Sequence, residues 1–317
     1  MEELPRFFDL QGSKPRLRVG KQFNSKEKQL VRNQLWLPIY KQVCTSTSPI
    51  GRIKYLCFPG LGCSFVKQLI ALGYISKTHT TIVALEPNKS WHKIIYEYFA
   101  RTFEKAKYEV LEGNYEDLIE QERLIKWFFE PPFGFDIMEL DFPVSLFSLG
   151  SDKRSMILEA IAKTLKVQAF FCRSFNMIAA FKATNKISAE LGSVYGDATK
   201  MLVKEILERE NSLLNNRILT GLIKSGSTAS LYDEKCSLYA IPLAIIRRSE
   251  GICNVRLKEI PYTHVSKSVG ANSRIISYVF RCEPRNYTID CGGNTLFDET
   301  RKSMVDAIEK TYRTFWV

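Results

Sequence analysis

Histidine is scarce in this chain. Only His79, His92 and His264 occur in 317 residues, none with a partner at metal-ligand spacing, so a zinc or other metal site is not expected. Paired cysteines are missing too. Cys44, Cys57, Cys63, Cys172, Cys236, Cys253, Cys282 and Cys291 are scattered without a CxxC, and Cys57 and Cys172 fall inside expected strands. They read as reduced thiols rather than a disulfide framework. No apolar run approaches the roughly 18 residues that span a bilayer, and the opening MEELPRFFDLQG lacks the apolar core of a signal peptide. The expectation is a cytoplasmic protein with no membrane partner. Internal repeats and low-complexity segments are absent as well.

Acidic residues are also in deficit, with 34 Asp or Glu against 45 Lys or Arg, a formal charge of +11 and a pI near 9.2. That balance favours a polyanionic partner, because basic groups that displace counterions from phosphates supply affinity without sequence readout. The excess is clustered: residues 1–50 carry nine basic against four acidic residues, and 241–281 carry seven against two. Lys14, Arg16, Arg18, Lys21, Lys26, Lys28 and Arg32 make residues 1–34 a basic arm interleaved with Phe23. LWLPIYKQV at 35–43 is apolar enough to dock on a core, with Pro38 arguing against an uninterrupted helix.

The most ordered signal lies between Ile53 and Glu86, in the order strand, glycine turn, helix, strand, acid. Ile53–Phe58 is a short apolar run closed by Pro59 and Gly60, as a buried parallel strand reads. Gly60 and Gly62 allow a sharp turn and a close approach of ligand to backbone and helix N-terminus, and Ser64 opens the helix. Thr80–Leu85 is the second strand. Glu86 follows it, 26 residues after Gly60 and near the roughly 20-residue spacing of a ribose-binding carboxylate.

These residues resemble a class I S-adenosylmethionine-dependent methyltransferase. The resemblance implies S-adenosylmethionine as cofactor, its methionine end over Gly60 and Gly62 and its ribose on Glu86. The phrase Ala84-Leu85-Glu86-Pro87-Asn88 is similar to what the family often carries there. The chain departs from the pattern in one place: the family usually has an acid two residues before the first glycine, and here that residue is Phe58.

Downstream, Ser90–Phe103 reads as an amphipathic helix, Tyr108–Leu111 as a third strand and Leu118–Phe129 as a helix stopped by Pro131-Pro132. Asn114 matches the residue that the resemblance places at the adenine amino group, and Tyr115 is expected near the base; a plain turn around Gly113 is the alternative. Phe135–Leu140 is the fourth strand and delivers Asp141-Phe142-Pro143 to the carboxyl edge, where open α/β sheets bind their ligands. Asp141 is the candidate for holding an acceptor amine or ring nitrogen, with Phe142 stacking on a base and Pro143 completing the candidate catalytic run. Glu130-Pro131-Pro132-Phe133 competes for that position but follows a more helical segment. Asp136 reads as structural, and Cys172 as a remote candidate for carbon methylation.

Ser151–Leu165 reads as a helix, Val167–Cys172 as the fifth strand, and residues 184–224 as a helical insertion. From 236 onward the pattern turns to strands, and Asp298–Thr311 reads as a final helix. The expected architecture is a basic arm and docking segment at 1–50 and a domain at 51–317. That domain is a doubly wound, Rossmann-like α/β fold, mostly parallel with a C-terminal antiparallel pair and a helical insertion at about 180–230. The function implied is methyl transfer to a base of RNA or DNA. Two other readings stand beside it: an inactive scaffold working with a protein partner, and a methyltransferase acting on small molecules or proteins.

Overall fold

The computed structural model describes residues 29, 32–46, 52–105, 107–144, 146, 149, 151–171, 173–182, 245, 255–259, 264–267 and 274–284. Most of the basic arm, the insertion expected to be helical at 184–224, Cys172 and the helix expected at 298–311 lie outside the described residues.

A single wide turn, Arg32–Trp36, runs into α1 (Leu37–Ser46). The doubly wound part follows as β1 (Lys54–Cys57), α2 (Ser64–Ala71), β2 (Thr81–Glu86), α3 (Lys89–Thr102) and β3 (Tyr108–Glu112). It continues through α4 (Tyr115–Glu120), α5 (Ile125–Phe129), β4 (Ile137–Asp141), α6 (Ser151–Phe170) and β5 (Phe175–Lys182). Then come β6 (Val255–Glu259), β7 (His264–Lys267) and β8 (Arg274–Pro284). They form one eight-stranded sheet in the order β3-β2-β1-β4-β5-β8-β6, with β7 paired to β8 off that path. The first five strands are parallel; β8 is antiparallel to β5, and β6 and β7 are antiparallel to β8. This is the expected sheet with its antiparallel addition.

Every residue of β1 and β2 is buried, which is why their middles read as continuous apolar stretches rather than alternating ones, with Lys54 and Glu86 at the ends. One face is covered by α1, α2 and α3 through Trp36, Tyr40, Phe65, Leu69, Ile95 and Phe99. The other is covered by α4 and α6 through Tyr115, Leu118, Ile157, Ile161 and Leu165. The docking segment is indeed docked, and a polar contact fixes it. The buried carboxylate of Glu139 on β4 accepts from the hydroxyls of Tyr40 on α1 (3.2 Å) and Tyr55 on β1 (2.5 Å).

Polar clamps gather at the amino edge. Asp136 N donates to Lys54 O (2.9 Å), Lys54 N donates to Asp136 Oδ2 (2.7 Å), and Arg173 pairs with the same carboxylate. The Lys54 ammonium points away from the sheet onto the carbonyls of Trp127, Glu130 (2.5 Å) and Pro132 (3.1 Å). The loop Glu130–Phe133 therefore lies at the edge opposite the glycine turn, and Asp136 is structural as expected.

The fifth strand differs from the sequence expectation. Val167–Phe170 continues α6, and the strand is Phe175–Lys182. The reason is Gln168, fully buried, whose side-chain amide accepts from Phe135 N and donates to Phe135 O, both at 2.8 Å. This clamp holds the last turn of α6 against the start of β4. Gly134 is part of the fit: at φ 68° its Cβ position would lie 2.8 Å from Gln168 Nε2. The helix expected over Leu118–Phe129 is also two short helices, broken where Glu122 takes φ 60°.

Gln168→Ala should leave the Phe135 N–H and C=O buried without partners, at about 1–3 kcal/mol for each group. The denaturation midpoint of this variant should fall with the slope unchanged.

Candidate functional site

After Cys57 the chain passes Phe58 and Pro59 into a tight turn closed by Cys63 N donating to Gly60 O (3.0 Å). Gly60 has φ 63°, a conformation strained for any residue with a Cβ. A Cβ placed on Gly62 would meet nothing within 4 Å, so the backbone there faces open space. Cys63 precedes α2 in a left-handed conformation and offers no side-chain cap. The first-turn amides of α2 thus point out of the turn together with the positive end of the helix dipole. Burial pushes the Cys63 thiol up to about 12; nearby Lys67 opposes the shift and the Glu86 carboxylate adds to it.

Glu86 ends β2 on the same edge, only 6% exposed. One of its oxygens accepts from Asn88 N (2.8 Å). Burial raises its pKa, against the opposing pull of the Asn88 N–H and of His92. Pro87 and Asn88 are exposed, and Asn88 Oδ1 caps α3 by accepting from Ser90 N and Trp91 N. Parallel pairing sets Glu86 opposite Glu112, so Asn114, two residues on, borders the same edge. It is exposed and donates to Asp117 Oδ2 (2.8 Å).

Asp141 ends β4, paired with Ala180. Leu56 of β1 pairs with Met138, so Asp141 lies as far beyond that pair as Pro59 does and shares the edge of the glycine turn. Pro143 is exposed beside it. The structure thus gathers Gly60, Gly62, Ser64, Glu86, Asn114 and Asp141 along one edge and sends Glu130 to the other.

Phe142 and Tyr115 need correction. Phe142 is 5% exposed and lies face to face with Phe181 (5.0 Å, 12°), so it is not free to stack on a base. Strand pairing runs one residue past Asp141, since Phe142 N donates to Ala180 O (2.9 Å), and the alternation of the strand turns the ring inward. Tyr115 is likewise a core residue. Its hydroxyl is bound to Thr164 Oγ1 (2.5 Å) on α6, away from the edge. With half-buried Phe58 these rings form an aromatic wall: Phe58 meets Phe142 at 5.4 Å and Tyr115 at 6.2 Å. Phe58 therefore occupies the place of the usual acid with an apolar ring.

Arg32 is the residue that sequence reasoning misplaced. Grouped there with the basic arm, it is 4% exposed and donates to Ser64 Oγ (3.2 Å) at the head of α2. Its guanidinium lies over the rings of Phe65 (5.2 Å) and Trp36 (5.7 Å). Arg32, Leu35, Trp36 and Tyr40 recur at helical spacing, a signal that could have marked it as inward-facing.

No protein-family model matches the chain and no curated protein matches it. Among solved structures it is similar to M. jannaschii TYW2 in complex with AdoMet, at 9% identity and TM-score 0.35 over 78% of this chain and 75% of that one. It is similar to the O-methyltransferase from Bacillus cereus in complex with SAH, at 14% identity and TM-score 0.34 over 80% and 96% of the two chains. A similarity of the same order links it to the [4+2]-cyclase SpnF, at 8% identity and TM-score 0.33 over 78% and 81%. Superpositions this loose carry no argument about activity. The strand order and the glycine turn themselves define a doubly wound, Rossmann-like α/β fold, and the antiparallel strands after β5 are those the methyltransferase resemblance implies. Among the described residues no cluster of His, Cys, Asp or Glu could hold a metal ion, and no helix is long and apolar enough to cross a membrane.

The raised pKa of Glu86 carries a sign. The folded state holds this proton more readily than the unfolded chain, so stability falls as pH rises through the window between the unfolded and folded values. Glu86→Gln keeps the acceptor for Asn88 N and removes the charge. Thermal melting should find this variant at least as stable as the parent at neutral pH, with the advantage shrinking in acid.

Proposed function

We propose that the protein transfers a methyl group from S-adenosylmethionine to a base of RNA or DNA. The observation that carries this reading is the shared edge of Gly60–Ser64, Glu86 and Asp141: a turn with open space above Gly62, a carboxylate one strand away and a second carboxylate at the next strand end. These residues fit the cofactor. Glu86 has, among the described residues, one oxygen bonded only through Asn88 N and the other without a hydrogen bond, and so accepts from ribose hydroxyls. The backbone of the Gly60–Cys63 turn and the first amides of α2 receive the methionine end. Asn114 borders the position of the adenine.

The cofactor supplies an electrophilic methyl on a sulfonium. The protein aligns the acceptor with it, a task of orientation more than of acid-base power. Asp141 holds the acceptor amine or ring nitrogen by accepting its N–H. Phe58, Tyr115 and Phe142 exclude water from beneath it as a fixed apolar wall. A base in a duplex must leave the stack to reach this edge. The charge of +11 supports a nucleic acid as the carrier of that base.

Replacing Glu86 by Ala should weaken cofactor binding about tenfold to a hundredfold, the worth of a charge-assisted acceptor. Calorimetry gives the answer, and an unchanged dissociation constant refutes the assignment. Asp141→Ala should abolish methyl transfer to RNA or DNA with cofactor binding nearly intact, whereas Glu130→Ala, at the opposite edge, should be mild. Removing residues 1–28 should weaken nucleic-acid binding and flatten its salt dependence by about 0.7–0.9 in log-log slope for each phosphate no longer neutralised.

A further inference from the structure

We infer that Lys182, Arg274 and Lys267 form a phosphate-binding rim on the edge that carries Asp141, and that this rim holds the sugar–phosphate backbone of the acceptor. The inference rests on the nucleic-acid reading above and gives that acceptor a place on the fold. It comes from the register of the strands beyond β4. Asp141 pairs with Ala180, and Lys182 ends β5 two residues further on. Lys182 pairs with Ile275, so Arg274 opens β8 one residue beyond that level, and Arg274 pairs with Lys267 at the end of β7. At about 3.3 Å per residue, Lys182 and Arg274 stand roughly 7 and 10 Å past the level of Asp141. They lie one and two strands to its side, and Lys267 three, on the side away from β1 and β2.

The basic cluster at 241–281 is thereby divided between the two edges. At the amino edge the ladder sets Arg256 opposite Glu283 and Arg281 opposite Glu259, cross-strand neighbours of opposite charge that favour the sheet itself. At the other edge it sets Lys267 directly opposite Arg274, a like-charged pair that costs stability in an antiparallel sheet. No acid occurs in β5 or β7, nor in β8 before Glu283. Lysine often guards an edge strand, which would account for Lys267 on β7. It does not account for Lys182 and Arg274, whose strands β5 and β8 have neighbours on both sides. A phosphate received between Lys267 and Arg274 turns their repulsion into attraction. The rim also answers a second difficulty: Glu86 and Asp141 repel a polyanion, so a base reaches Asp141 only where cations offset that charge.

The test is fluorescence anisotropy of the full chain with a mixed-sequence single-stranded RNA oligonucleotide, and with its DNA counterpart, over a series of salt concentrations. The variant carrying Lys182→Gln, Arg274→Gln and Lys267→Gln together should lose about 2 in log-log slope, roughly 0.7 for each phosphate contact. Calorimetry should find S-adenosylhomocysteine bound to it as to the parent, because the rim lies on the far side of Asp141 from Glu86. Arg256→Gln with Lys258→Gln removes charge at the amino edge and should leave the slope unchanged. Circular dichroism checks that each variant is folded. Where the triple variant does not fold, the three single substitutions carry the test, each with an expected loss of about 0.7. The parent's slope in the folded rim variants, or an equal loss per charge at the amino edge, overturns the rim and leaves the nucleic-acid reading in place. A folded parent that binds neither RNA nor DNA at low salt overturns both.

Discussion

The reciprocal hydrogen bonding of Lys54 and Asp136 at the start of β1 and β4 is the constraint on which the rest of the fold depends. It sets the register of the two central strands, and Asn176 N donating to Asp136 O extends it to β5. Parallel strands locked in register at one edge send their chain ends to the same opposite edge. Their carboxyl ends therefore meet as a row of loops that owe nothing to one another for their positions. The clamps of Lys54, Arg173 and Gln168 all lie at the amino edge, so the opposite edge is left free to bind. The polar clamps thus lie at the amino ends of the strands, and the ligand contact proposed above falls at their carboxyl ends.

Much of this was legible in the sequence. The first four strands were legible because short, mainly apolar runs bounded by turn formers mark buried parallel strands, and Gly60, Gly62 and Glu86 stood at the ends where such strands put ligands. The fifth strand was misplaced because VQAFFC at 167–172 and FNMIAAFK at 175–182 are equally apolar. Only the position of Gln168 against Phe135, which pairs distant parts of the chain, tells that Val167–Phe170 stays helical.

The site shows a similar limit. Its edge residues were visible because each follows a strand. Phe142 looked like a stacking ring because nothing local says that pairing with β5 continues one residue past Asp141, yet the inward alternation of Leu140 and Phe142 was already there to read. Arg32 was hidden by its neighbours: an arginine after seven other basic residues reads as surface charge, and Ser64, to which it donates, lies 32 residues away.

Cys63 has a consequence for chemical self-protection. At a turn proposed to receive an alkylating sulfonium, the most nucleophilic kind of side chain would be a thiolate, and Cys63 stands at the mouth of the helix beside that turn. Burial pushes its pKa up to about 12, which keeps the sulfur in the weakly nucleophilic thiol form at neutral pH. The enclosure that shapes the turn thus also quiets the sulfur of Cys63 beside it, with no need to exclude cysteine from that position.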